Sequence, residues 1–248
     1  MQEESNMYFS VTPIITFCGK TRIGYATGFF YKDLTTGDMY LITNRHVIIN
    51  ETKQYFPEYI VIRVHIDRHD LTKNREVKIQ LYKNGKPIWI EHPNLSFDNQ
   101  IGAIPDIVAI PVQPENNWLV DPLSKNIFPP LDIVLVLGDD LIVLGYPLGF
   151  YDEHHNLPIA RRAALSSPFG VRFRGYPFFL VDAKLHVGTS GAPVFTKPTT
   201  AIVRKEKVEI SSRPVTFFIG VHSAIYPNLE LSIVWYAWII EEIIRKSP

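Results

Sequence analysis

The chain holds a single cysteine, Cys18, among its 248 residues. No intramolecular disulfide can form, so the fold must rest on its hydrophobic core, as cytosolic proteins usually do. Net charge is absent too: 25 Lys+Arg stand against 25 Asp+Glu. That balance gives no global reason to expect nucleic acid, an anionic membrane or an acidic tail as partner. Long apolar runs are missing, the two most apolar stretches being interrupted by Asp139 and Asp140 in one and by Glu230 in the other, too soon to cross a bilayer. The first residues carry Glu3 and Glu4 without the basic start and apolar stretch of a secretory signal. Solenoid-period repeats and low-complexity tracts are lacking as well. These absences predict a soluble, cytoplasmic protein whose partners are selected by local chemistry. The length suits one large domain or two small barrels sharing an interface.

What is present is a succession of short β-branched and aromatic runs. Tyr8 to Phe17, Ile23 to Tyr31 and Met39 to Thr43 are separated by Gly19-Lys20 and Thr35-Thr36-Gly37, the spacing of a sandwich or barrel. Asn44-Arg45-His46-Val47-Ile48-Ile49 leaves the third run as one short helical turn, with His46 at the rim. Tyr59 to Ile66 alternates, and Asn84-Gly85 marks a tight hairpin between Glu76 to Tyr82 and Pro87 to Glu91. Asp106 stands just before a short apolar strand, Ile107 to Ile110.

Four prolines between Val112 and Pro130 place a linker at about 114–130, between a first half of about 8–113 and a second of about 131–236. In the second half, Asp132 to Leu137 is expected to pair with Leu141 to Leu144. Further strands are expected at Ile159 to Leu165, Phe178 to Val181, Pro193 to Thr196, Ile202 to Ile210, Thr216 to His222 and Leu231 to Trp235. A short helix over about 237–246 ends the chain, its acids preceding its bases.

The stretch with the strongest chemical content is Gly188-Thr189-Ser190-Gly191-Ala192-Pro193. In such a turn the hydroxyl of Ser190 stands clear while neighbouring backbone N–H groups converge, as an acyl-transfer nucleophile requires. A serine near neutral pH needs a base, and the base a carboxylate to fix its tautomer. His46 and Asp106 occur earlier at element edges in an order that fits a two-barrel protease; Asp98 is a second acid able to reach a barrel rim. An esterase elbow is disfavoured because Gly-Thr-Ser-Gly lacks the Gly-x-Ser-x-Gly pattern.

These residues resemble the trypsin-like (chymotrypsin-fold) serine peptidases, in particular the bacterial HtrA-like and glutamyl-endopeptidase-like branch. Thr43-Asn44-Arg45-His46-Val47 looks like the histidine motif, Asp106-Ile107-Val108-Ala109-Ile110 like the aspartate motif, and Val181 to Pro193 like the nucleophile segment. Gly145-Tyr146-Pro147-Leu148-Gly149 looks like that branch's Gly-x-Pro-x-Gly loop. The resemblance spans nearly the whole chain. It implies an all-β fold of two six-stranded antiparallel barrels with a short C-terminal helix, the cleft between the barrels holding His46, Asp106 and Ser190. The N–H groups of Gly188 and Ser190 would form the oxyanion hole. It also implies a serine endopeptidase acting on a protein or peptide without a cofactor.

Gly220-Val221-His222-Ser223 is similar to the Gly-x-His pocket wall of glutamyl endopeptidases, and Lys184 falls where such enzymes place a pocket base. His222, Ser223 and Lys184 are thus expected to bind substrate, with Glu, Asp or Gln preferred before the scissile bond. The alternatives are a silent protease-fold binding module, or a latent enzyme switched on by a regulatory protein partner. The family usually has glycine where Ala192 stands, which predicts a tighter backbone beside the substrate. PDZ domains do not fit in this length.

Among the remaining residues, Asp152-Glu153-His154-His155 lacks a spaced second ligand pair and is expected to be a solvated loop without metal. Cys18 is expected in the core. Arg161, Arg162, Arg172 and Arg174 form a basic stretch without a nucleic-acid motif, suited to steering an acidic segment.

Overall fold

The structure, a computed structural model, describes residues 7–93, 105–226 and 228–245; Asp98 and Lys246 lie outside them. The first half contains β1 (Val11–Cys18), β2 (Thr21–Lys32), β3 (Met39–Thr43), the one-turn helix α1 (Arg45–Ile48), β4 (Tyr59–His65) and β5 (Asn74–Gln80). Short strands β6 (Tyr82–Lys83), β7 (Lys86–Pro87) and β8 (Ile90–Glu91) follow, then β9 (Val108–Val112). β4 shows how the sheet is built: Ile60, Ile62 and Val64 are buried while Tyr59, Val61 and Arg63 face outward, the period-two pattern of a strand covering a core. Asn84 and Gly85 both take positive φ, 53° and 74°, as a two-residue hairpin turn requires.

The strands of the first half form a seven-stranded antiparallel sheet in the order β5-β4-β1-β2-β3-β9-β8. Among the described residues this ladder does not close. The proline-rich connection hugs this half, Leu123 exchanging backbone bonds with Phe30 and Lys32.

The second half runs β10 (Asp140–Gly145), β11 (Ile159–Leu165), β12 (Phe178–Asp182), β13 (Pro193–Thr196), β14 (Thr199–Val203), β15 (Val208–Val215), β16 (Phe218–Tyr226), β17 (Leu231–Tyr236) and α2 (Ile239–Arg245). Six of these strands close a barrel in the order β10-β11-β12-β17-β16-β13.

Three local expectations are corrected. Residues 132–137 form no strand beside β10, whose partners are β11 and β13; Val136 and Leu137 are exposed, so the segment has no buried face to pin a register. The span Ile202 to Ile210 is split into β14 and β15 because Arg204-Lys205-Glu206-Lys207 turns the chain, Arg204 N–H donating to Lys207 C=O. Cys18 is exposed rather than in the core: a register shift between Thr16 and Phe17 interrupts the alternation of β1 before it reaches Cys18.

The buried apolar residues fall into three clusters. Ile14, Phe30, Leu41, Ile60 and Ile62 fill the first half; Leu141, Val143, Phe179, Val194 and Val234 fill the barrel. The third joins the halves: Phe29, Tyr31 and Ile42 pack with Phe195, Phe218, Trp235 and the buried face of α2, Ile239, Ile240, Ile243 and Ile244. Where the two halves meet, the rim residues named above come together.

Candidate active site

The pairing of β3 with β9, Thr43 opposite Val108, brings His46 and Asp106 together across 60 positions of sequence. α1 is held in place by Arg45, whose guanidinium bridges Glu51 and Glu91 and keeps the Glu51 carboxyl down at about 2. The Asn44 side chain donates to the Asp106 carbonyl at 2.7 Å. Asp106 Oδ1 accepts the His46 backbone N–H at 2.9 Å, and Oδ2 lies 2.6 Å from His46 Nδ1. With the Nδ1 proton directed at that carboxylate, His46 Nε2 presents a lone pair to Ser190 Oγ, 3.0 Å away. The structure thus brings the three residues into one hydrogen-bonded chain.

Ser190 sits in a turn held from both sides. From the second half, His222 N–H donates to Ala192 C=O, Gly191 N–H to His222 C=O, and His222 Nδ1–H to Thr189 C=O. From the first half, Thr27 N–H donates to Ser190 C=O at 2.9 Å and Thr27 Oγ1 to Gly188 C=O at 2.7 Å. Val187 C=O accepts from Leu148 N–H at 2.6 Å. The carbonyls of Val187, Gly188, Thr189, Ser190 and Ala192 are therefore occupied. The N–H groups of Gly188 and Ser190 have no acceptor among the described residues. Gly188 has φ +98°, and a Cβ there would stand 2.5 Å from the Tyr146 carbonyl, so only glycine lets the turn approach the 146–149 loop this closely.

Ala192 does not tighten the cleft. It is fully buried in the barrel core, and Gly145, where a Cβ would come 3.1 Å from that of Ala192, leaves the room for it. Ser223 lies differently from the expected pocket wall: its hydroxyl donates to Asp106 Oδ2 at 2.5 Å, and its carbonyl is 3.4 Å from Ser190 Oγ. His222 is buried, with Nε2 lacking a partner among the described residues. Burial pushes its imidazole down to about 4, against the opposing pull of the Thr189 carbonyl. Lys184 is exposed, and its carbonyl accepts from Arg161.

Thr27 and Leu148, which hold the nucleophile turn, carry no sequence signal of that role, since both act through backbone partners distant in the chain.

Away from the triad, Asp152 spends its carboxylate inside its own loop, accepting from the N–H groups of His154 and His155 and lying 2.8 Å from the His155 ring. Among the described residues no three His, Cys, Asp or Glu side chains gather as metal ligands. Within the basic stretch, Arg162 pairs with Asp140, and Arg172 lies near the Trp238 ring. No helix of the described residues is long and apolar enough to cross a membrane.

No protein-family model matches the sequence, and no curated protein matches it. Among solved structures the chain is similar to the serine endoprotease from Yersinia pestis, with 16% identity and a TM-score of 0.54 over 96% of this chain and 62% of that one. It is also similar to a variant of the HtrA-type protease AlgW with a tripeptide, at 14% identity and a TM-score of 0.54 over 96% of this chain and 60% of that one. The chain spans less than two thirds of the length of either. The architecture shared across that span, a closed antiparallel barrel facing a second antiparallel sheet with a short C-terminal helix, is the two-barrel trypsin-like serine protease fold.

Proposed function

We propose that this chain is a serine endopeptidase that cleaves protein substrates through an acyl-enzyme. The observation that carries the reading is the chain Asp106–His46–Ser190, at 2.6 and 3.0 Å, beside two backbone N–H groups without an acceptor among the described residues. His46 Nε2 takes the Ser190 hydroxyl proton as Oγ attacks the scissile carbonyl. The N–H groups of Gly188 and Ser190 hold the resulting oxyanion, each donor being worth roughly 3–4 kcal/mol of barrier. His46 then gives its proton to the leaving amine, and water repeats the cycle to release the acid. Asp106 fixes the imidazole and stabilises its charged form throughout. A fluorophosphonate should label Ser190 in the wild type and leave Ser190→Ala unlabelled and inactive on protein substrates. Failure of the wild type to label removes the proposal.

The same reading includes a preference for Glu, Asp or Gln before the scissile bond. His222 supports it: with Nδ1–H committed to Thr189, its buried Nε2 is an acceptor without a donor among the described residues, a group that a Gln amide or a protonated carboxyl can satisfy. Lys184, exposed on the segment leading to the turn, adds positive charge on the approach. Peptides differing only at the residue before the bond test this, and a clear Arg or Leu preference counts against it. A cytoplasmic setting, with a protein partner as regulator, completes the proposal.

A further inference from the structure

A cleft of about 570 Å³ opens directly beside the triad, with Arg22, Tyr25, Lys53 and Tyr55 in its walls together with His46 and Ser190. The Arg22 side chain and the loop that carries Lys53 are held in place. The Arg22 guanidinium lies over the Tyr25 ring, 3.4 Å from the centroid. Lys53 stands on a closed loop in which Asn50 and Tyr55 exchange both backbone bonds and Asn50 Oδ1 accepts the Lys53 N–H. Among the described residues neither cation has a carboxylate partner, the acid of that loop, Glu51, being taken by Arg45. Two uncompensated charges beside an aromatic-walled cleft in a chain of zero net charge call for anionic groups on what binds there.

Its position relative to the chemistry tells which part of a substrate enters. His46 must hand its proton to the departing amine, so the segment after the scissile bond leaves past the imidazole. His46 and Val47 line this cleft, whereas Ser223, whose carbonyl is 3.4 Å from Ser190 Oγ, does not. At about 3.3 Å of chain per extended residue, a cleft of this size takes only the first few residues of the departing segment.

We infer that this cleft selects substrates with Asp or Glu within the first three residues after the scissile bond, Arg22 and Lys53 being the specificity-determining residues. The inference rests on the proposed endopeptidase activity and adds a substrate class to it. Tyr25 and Tyr55 supply apolar wall for the carbon skeleton of those residues, and the two cations meet the carboxylates. Exposed ion pairs of this kind are each worth up to about fivefold, so a Glu-for-Lys exchange after the bond is expected to raise kcat/KM about tenfold. Salt at about 0.5 M should reduce that ratio to roughly twofold or less.

The test uses a proteome-derived peptide library digested by the full chain, with new ends sequenced, beside fluorophosphonate labelling of the same sample. Enrichment of Asp and Glu at the first three positions after the cut, lost in an Arg22→Ala/Lys53→Ala double variant that still labels, supports the inference. Cleavage with flat or basic preference there overturns it and leaves the peptidase reading intact. Labelling without cleavage of any peptide, acidic ones included, overturns the substrate assignment together with the endopeptidase reading and leaves only a reactive Ser190. Absence of both label and cleavage overturns the peptidase reading and the inference with it.

Discussion

Ser223 donates its hydroxyl to Asp106 Oδ2, the same oxygen that faces His46 Nδ1, so it holds the carboxylate that in turn holds the base. A hydrogen bond to a charged group is worth about 1.5–3 kcal/mol. Ser223→Ala is therefore expected to lower kcat roughly ten- to a hundredfold with little change in KM, measured on one peptide; an unchanged kcat would show that Asp106 needs no third donor. His222 makes a prediction in stability instead. Its imidazole titrates at about 4 when folded, because burial penalises the charged form, and near 6.5 when unfolded. Between those values the unfolded chain binds a proton that the folded chain refuses, so stability is lost as pH falls from 6.5 towards 4 and is unaffected at neutral pH. Each such group contributes a slope of up to about 1.4 kcal/mol per pH unit; His65, also lowered chiefly by burial, acts with the same sign. Urea unfolding of His222→Asn at pH 7 and 5 should give a difference between the two pH values smaller by roughly 2 kcal/mol than in the wild type. Equal differences would place the imidazole's titration outside this window.

Strand β2 is the element on which the nucleophile turn of the other half depends. Thr27 Oγ1 donates to Gly188 C=O and accepts the Tyr146 N–H, tying together the turn and the 146–149 loop that supports it. Thr27→Val keeps the volume and removes both bonds, leaving buried backbone groups unpaired at about 1–3 kcal/mol each. The variant should melt several degrees lower and react with fluorophosphonate at least tenfold more slowly. An unchanged labelling rate at lowered stability would mean that the turn keeps its shape without β2. Thr27 also explains what sequence could and could not reveal. Ser190 was legible because its flanking glycines state a local backbone requirement, visible within six letters. His46 was legible because a strand exit followed by Asn44-Arg45-His46 carries a recognisable pattern, and Asp106 because it precedes an apolar strand. Thr27 sits 161 positions from Gly188, in a strand where threonine is ordinary, and its role exists only once the two halves are packed. The same holds for Ser223, whose side chain meets Asp106 across 117 positions although its place in the strand suggested a pocket wall. Errors at the level of elements had local causes: the bulge in β1 exposes Cys18, and four charged residues from Arg204 to Lys207 divide what hydrophobicity alone read as one strand.

The proposed site is divided across the molecule, with His46 and Asp106 on one half and Ser190 on the other, so its geometry is only as good as the packing between them. That packing is mainly apolar: Phe29 meets Phe218 edge-on at 5.3 Å, and α2 lays four isoleucines into the shared cluster. Within it lies a buried polar link, Tyr31 Oη donating to Glu241 Oε1 at 2.6 Å. Burial, and then the bond to Glu241, push the Tyr31 hydroxyl far above the usual tyrosine range, so it remains a donor at every working pH. Glu241 also accepts from Arg245 on the same helix at 3.0 Å, and it keeps a partner when Tyr31 is changed. Tyr31→Phe thus removes one bond without stranding a charge and is expected to cost about 1–3 kcal/mol. Apolar contact still dominates the joint, so the two halves should continue to unfold in one transition, and fluorophosphonate reactivity should fall at the same temperature as tryptophan fluorescence. If reactivity is lost well below the fluorescence transition in Tyr31→Phe and not in the wild type, then the Tyr31–Glu241 bond, rather than the aromatic packing, sets the alignment of the two halves.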